Sequence, residues 1–277
     1  MTGGILGSDR TADSDSLSGG AHVSGGARVA EGRATAAPRD ASVAVVGAGD
    51  YIGAAIVRRF AREGYTVFAG RRNGDRLAPL VEEVAASGGN CQGRTLDARK
   101  EDAVTQFLTE ADTAAPLEAV IFNIGGNVNF PILETTERVF RKVWELSCYA
   151  GFFTGREAAR LLVPRGRGSI FFTGATASVR GGSGYAAFAA AKFGLRAVAQ
   201  SMARELGPKN IHVAHLVIDA GVDTAWVRER MRARGADEAG RVLMNPASIA
   251  EEYWHLHTQP RDAWTHELDL RPNVEAW

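Results

Sequence analysis

Cysteine is nearly absent from this 277-residue chain. Cys91 and Cys148 are too few and too far apart for a disulfide framework or a zinc site built on paired thiolates. A reducing, cytoplasmic setting is the simpler expectation. Neither sign of charge is in excess, since 32 Lys and Arg face 32 Asp and Glu, so a large basic surface for nucleic acid is not expected. The arginine-rich helix faces also lack interleaved aromatic platforms for single strands. No apolar run is long enough to cross a bilayer, and Ile5-Leu6 is the only apolar pair near the start, which leaves a secretory signal without an apolar centre. The six histidines offer no metal site. His255 and His257 are two apart on an expected helix, and His212 and His215 are an odd number apart on an expected strand, so each pair diverges. What remains, with 45% hydrophobic residues, is the material for the core of a soluble protein.

Glycine, by contrast, is plentiful at 32 residues, and it is unevenly spread. Residues 1–40 combine Gly, Ser, Ala and Arg without helical or strand periodicity, and runs such as Ser18-Gly19-Gly20 cannot bury enough apolar area to offset ordering entropy. This stretch reads as a leader without fold or a mis-called start, with contact to a neighbouring subunit as the alternative. At Ser42 the pattern changes. Val43-Ala44-Val45-Val46 predicts a strand, a glycine turn follows, and residues 54–60 have helical apolar spacing. Further strands are expected at 65–69, 92–96, 119–123, 169–173 and 211–218, with helix-length segments between them. Such alternation predicts an α/β fold, a doubly wound parallel sheet with helices on both faces, in a single domain over 41–277. Glu267-Leu268-Asp269-Leu270 alternates polar and apolar residues, as an edge strand does.

Gly47-Ala48-Gly49-Asp50-Tyr51-Ile52-Gly53 joins the first strand to the first helix. There the unpaired N–H groups and the positive helix end attract phosphate, and glycines let it approach the backbone. The second strand ends in Ala69-Gly70-Arg71-Arg72, without the carboxylate that would hold a ribose 2′-hydroxyl. Guanidinium groups in that place favour a 2′-phosphate, so NADP(H) is the expected cofactor. Arg58, Arg59, Arg62 and Arg76 read as solvated charge on helices.

With these landmarks residues 41–277 resemble the short-chain dehydrogenase/reductase family, whose fold is Rossmann-type. The resemblance implies that Asp97 contacts the adenine, that Asn123-Ile124-Gly125 stands for the family's Asn-Ala-Gly, that Lys192 holds the nicotinamide ribose, and that Thr224 in Val222-Asp223-Thr224 contacts the carboxamide. The departures are as telling. The family's tyrosine, four residues before the lysine, is Phe188 here. Its serine aligns with Ala175 and its helix asparagine with Ser147, so Lys192 alone remains of the tetrad. Tyr51 stands where the middle glycine of the family's turn would be, with Gly49 as an alternative close approach, and Asp219-Ala220 replaces a Pro-Gly. The sequence resembles a branch of the family in which the tyrosine is replaced, often by Phe.

Carbonyl reduction needs a proton as well as a hydride, and Phe188 has none to give. Tyr185, seven residues before Lys192, returns to nearly the same helix face and is the candidate substitute, although about 10 Å up the axis. Thr173, Thr176, Ser178 and Ser183 are weaker candidates. Three functions follow as expectations: an NADPH-dependent reductase of an already activated small molecule (iminium, enone or carbonyl); a non-redox isomerase, dehydratase or cyclase with Asp219 as base, unless Asp219 merely caps a helix; and a catalytically silent NADP-binding protein. A lid is expected at about 224–245, with Trp226, Val227 and Met231, joined by Phe130 and Val179, as an apolar wall. The family resemblance further implies a homodimer or homotetramer through helices around 135–162 and 184–206.

Overall fold

The computed structural model describes residues 35–233 and 242–274, so most of the expected leader and part of the expected lid lie outside the described residues. Seven strands, β1 (Ser42–Val46), β2 (Thr66–Arg71), β3 (Asn90–Thr95), β4 (Leu117–Phe122), β5 (Ser169–Thr173), β6 (His212–Ile218) and β7 (Glu267–Leu270), form one sheet in the order β3-β2-β1-β4-β5-β6-β7. Every neighbouring pair is parallel. The doubly wound α/β fold expected from the alternation is therefore what the chain adopts. β5 and β7 have the bounds read from sequence, the ends of the other strands shift by at most two residues, and β7 does lie at an edge.

Because side chains alternate across a strand, each valine-rich run feeds two cores. Val43 and Val45 of β1 face α1 (Ile52–Arg62), α2 (Ala78–Ala86) and α8 (Pro246–His257), with Phe60 and Tyr253 at the centre. Ala44 and Val46 face α3 (Glu101–Ala114), α5 (Ala150–Leu162) and α6 (Ala186–Leu206), with Phe122, Phe172 and Leu195. α4 (Glu137–Trp144) runs into α5 through a π turn at Glu145–Tyr149, and α7 (Ala225–Ala233) follows β6. No helix among the described residues is long and apolar enough to cross a membrane.

Two expectations need correcting. Residues 35–40, assigned to the leader, are bonded to the domain: Ala36 N donates to Arg62 O and Arg39 N to Gly64 O, both at 2.8 Å, and the Arg39 guanidinium lies 4.9 Å from the Tyr65 ring centre. Arg59 is not solvated surface charge but 7% exposed. It bridges Glu63 and Glu251, at 2.5 and 2.7 Å, and stacks over Trp254. A buried guanidinium is tolerable only when paired, and this one ties α1 to α8.

Candidate active site

The chain leaves β1 toward β2 and β3 on one side, then crosses to β4 on the other, so a crevice opens between the carboxyl ends of β1 and β4, where open α/β sheets bind ligands. Gly47 leaves β1 at φ +96°, and its N–H and that of Ala48 both donate to Gly70 O at 2.9 Å. A Cβ on Gly47 would stand 2.7 Å from Ile124 Cγ1, and one on Gly53 would stand 2.5 Å from Gly47 O. These two glycines therefore shape the turn and seat α1 against it. At Gly49 a Cβ would meet nothing within 4 Å, so that backbone is open to the crevice.

Asn123 supports the turn from β4. Its Nδ2 donates to Gly47 O at 3.0 Å, and its Oδ1 accepts the Thr173 hydroxyl at 3.0 Å. Since Thr173 spends its one proton there, the fully buried Tyr253 phenol is the donor in the 2.6 Å contact with Thr173 Oγ1. This string from α8 to the glycine turn gives Asn123 a scaffolding task, and Tyr253 was missed because nothing local marks a distant core tyrosine. Tyr51, beside the turn, reaches the other way: its hydroxyl accepts Ala225 N–H at 3.0 Å, at the start of α7.

Two cavities meet over Gly47, Gly49, Asn123, Ile124 and Gly125. The first, about 530 Å³, is lined by Arg71, Arg72, Arg76, Asp97 and Arg99. Arg71 and Arg72 are brought together as expected, but Arg71 is not idle. Asp50 of the glycine turn pairs with it at 2.5 Å and with Arg76 at 3.5 Å. Arg76, with its side chain 63% exposed, is solvated as expected and also lines the crevice. Asp97 accepts Arg99 Nε and Nη2 at 2.8 and 2.6 Å, and this guanidinium holds its carboxyl below the usual range.

The second cavity, about 700 Å³, is bounded by Tyr51, Ile52, Thr173, Lys192 and Thr224 and walled by Phe188, Tyr185, Trp226 and Val227. Lys192 is 2% exposed. Its Nζ donates to Thr173 O at 2.8 Å and Ile124 O at 3.2 Å, and burial pushes the ammonium down to about 8. One turn earlier the Phe188 ring centre lies 6.0 Å from Nζ. Ser147 is buried in the π turn, and its hydroxyl hydrogen-bonds nothing among the described residues.

The expected partners divide. Tyr185 lines the cavity together with Lys192, as the N-cap of α6, its carbonyl accepting Ala189 N–H at 2.8 Å. Its hydroxyl makes no hydrogen bond among the described residues. Asp219 is neither a base in the cavity nor a helix cap. It lies behind the wall, accepting Thr176 Oγ1 at 2.5 Å and pairing with Arg180 and Arg271 at 3.3 and 2.9 Å. Thr224, whose Oγ1 accepts Val227 N–H at 3.1 Å, caps α7. Trp226 and Val227 join the wall, whereas Met231, Phe130 and Val179 do not.

A family model described as short chain dehydrogenase matches residues 41–235. The chain is 62% identical to a short-chain dehydrogenase from Rhodopseudomonas palustris of known crystal structure, with 85% of this chain and 100% of that one covered at a TM-score of 0.75. Among curated relatives, 1-deoxy-11-beta-hydroxypentalenate dehydrogenase from Streptomyces exfoliatus is 29% identical over 214 residues, 76% of this chain and 77% of its own. An alcohol dehydrogenase from the archaeon Thermococcus sibiricus, solved in complex with 5-hydroxy-NADP, is 26% identical, with 85% and 98% of the two chains covered and a TM-score of 0.73.

Proposed function

We propose that this chain, which belongs to the short-chain dehydrogenase family, is an NADP(H)-dependent oxidoreductase that reduces an activated small molecule, an iminium, enone or carbonyl, without the family's tyrosine acid. The observation that carries the reading is Phe188 beside Lys192, in a cavity that joins an arginine-lined one over an open glycine turn.

The residues present fit a dinucleotide carrying a 2′-phosphate. Gly47, Gly49, Tyr51, Ile52 and Gly53 would hold the pyrophosphate at the start of α1, with Gly49 offering bare backbone. Arg71 and Arg72 would take the 2′-phosphate, Arg71 exchanging Asp50 for it, and Asp97 would meet the adenine. Asn123 would keep the turn in shape, Lys192 would hold the nicotinamide ribose, and Thr224 would meet the carboxamide. The structure with 5-hydroxy-NADP, at 26% identity, supports the same cofactor class. When bound, the nicotinamide supplies hydride.

Lys192, held by two carbonyl oxygens, has no phenol beside it to make acidic. General acid assistance is worth about 10²–10⁴-fold, so the substrate must be one that accepts hydride before protonation. The Phe188 ring excludes water from that face, and Tyr185 is the phenol left facing substrate. A non-redox isomerase, dehydratase or cyclase is less well supported, because its base, Asp219, is engaged in ion pairs outside the cavity. A silent NADP-binding protein would bind cofactor without turnover. We place the protein in the cytoplasm, as a homodimer or homotetramer joined through α4, α5 and α6, where Phe140, Trp144, Tyr149, Phe152 and Phe193 are exposed.

The test is to mix purified protein with NADPH and a panel of iminium ions, enones and ketones. Cofactor consumption with iminium ions or enones ahead of simple ketones is expected. Failure to bind NADPH overturns the reading, and binding without consumption of any substrate leaves the silent binder in its place.

A further inference from the structure

Aromatic and aliphatic groups wall the substrate side of the larger cavity, and one guanidinium interrupts them. Arg180, in the 179–185 connection between β5 and α6, lines that cavity and is 47% exposed. The other charged residues of the lining are committed elsewhere. Asp50 is paired with Arg71 and Arg76, and Lys192 is buried against two carbonyl oxygens. Arg180 is therefore the one that turns charge toward open space.

Its placement is built rather than incidental. Arg180 Nη2 donates to Asp219 Oδ1 at 3.3 Å, and Asp219, 3% exposed, is fixed in turn by the Thr176 hydroxyl at 2.5 Å. Asp219 also pairs with Arg271 at 2.9 Å, so its charge is divided between two guanidinium groups and does not fully neutralise Arg180. Among the described residues Nε and Nη1 of Arg180 make no hydrogen bond. The residues that follow are Gly181 and Gly182. A Cβ at Gly181 would meet nothing within 4 Å, so the backbone beside Arg180 borders open space. Thus the Asp219-Ala220 departure noted in the sequence finds its use behind the cavity wall.

We propose that Arg180 is the anchor for a carboxylate on the substrate, so that the chain acts on small apolar acids whose hydrocarbon part lies against Phe188, Tyr185 and Trp226. This rests on reading the cleft as the substrate site. A planar guanidinium with free donors binds a carboxylate through charge-assisted, fork-like hydrogen bonds, and an apolar wall that excludes water strengthens them. A neutral amide of the same shape gains only the apolar part.

The experiment compares cinnamate with cinnamamide by calorimetric titration into wild type, with and without saturating NADPH. Cinnamate is expected to bind about tenfold or more tightly than cinnamamide. R180Q should erase that preference while leaving cinnamamide and NADPH affinities unchanged, and R180K, which keeps charge but loses the fork, should retain part of it. Equal affinity for the two probes in wild type, no cinnamate binding at millimolar concentration, or a preference that survives in R180Q overturns the proposal. Failure of NADPH to bind while the cinnamate preference holds would overturn the cofactor reading and leave the subsite standing. NADPH binding without acid preference would do the reverse.

Discussion

The two halves of the crevice are built from different materials. Around the smaller cavity, arginines from β2 and its neighbours are already matched with carboxylates, Arg71 and Arg76 with Asp50 and Arg99 with Asp97. Around the larger one, Lys192 has only backbone carbonyls, and its neighbour one turn away is a phenyl ring. The polar half depends on bare backbone and exchangeable ion pairs, which suit a phosphate-bearing ligand. The apolar half depends on shape and one buried cation. A fold can keep the first while altering the second because, beyond the turn they share, different segments supply them, the β2 and β3 ends for one and β5, α6 and α7 for the other.

The largest effect expected tests the polar half. G53V would place side-chain carbon against Gly47 O, where even a Cβ stands at 2.5 Å, and should cost about 3 kcal/mol or more of stability. G49A separates fold from ligand. With nothing within 4 Å of its Cβ, it should leave stability within about 0.5 kcal/mol while weakening NADPH in the same calorimetric titration. Equal damage to folding by both variants would mean that Gly49 serves the turn and not a cofactor.

The apolar half is tested through Lys192. Burial lowers its ammonium from 10.5 to about 8, so between those values the unfolded chain binds a proton that the native chain does not. This contribution to stability is complete above pH 10.5 and is lost as pH falls through about 8. Denaturant unfolding of wild type and K192M across this window should show the difference moving in favour of wild type with rising pH, by at most about 1.4 kcal/mol per unit and about 3 kcal/mol in all. A flat difference would mean that the cation is solvated, and the two halves would then be less unlike than described.

Much of this organisation is legible in the sequence, and the exceptions have a common cause. The spacing of Phe188 and Lys192, the glycine turn and the run at 169–173 are local, and local periodicity predicts them. Asp50 and Arg71 are 21 residues apart, and Arg59 and Glu251 are 192 apart. Only the folded sheet and its helices bring such charges together, so Arg71 read as a 2′-phosphate ligand without its Asp50 partner and Arg59 read as solvated. Tyr185 reads as a helix residue from its spacing, and it is the N-cap, the glycines at 181, 182 and 184 keeping the segment before it out of the helix. Asp219 looked like a base from its place in the chain, whereas its role follows from Thr176, Arg180 and Arg271, which no local pattern associates with it.

A smaller effect sharpens the contrast within the polar half. R71Q should weaken NADPH by about 1.5–3 kcal/mol, the value of a hydrogen bond to a charged group, with NADH nearly unaffected. D50N removes the internal carboxylate that occupies Arg71 and Arg76, so it should tighten NADPH relative to NADH. Thermal shift with each nucleotide reads both variants. Equal stabilisation of wild type by NADPH and NADH would remove the 2′-phosphate from the account.

The smallest effect falls where the halves meet. Tyr51 rises from the glycine turn, and its hydroxyl accepts Ala225 N–H at 3.0 Å, so the turn and the first residue of α7 are linked across the crevice mouth. Y51F deletes that acceptor and keeps the ring. The orphaned N–H lies in the exposed first turn of a helix, where water replaces the lost partner, so the global cost should be no more than about 1 kcal/mol. Local opening should respond more than global stability, because the bond fixes α7 and not the sheet. Hydrogen exchange at Ala225 and the following amides should quicken in Y51F while β1 and β4 stay protected. Unchanged exchange in α7 would show that the helix is held without Tyr51, and the two halves of the crevice would then be joined only through Asn123 and the shared turn.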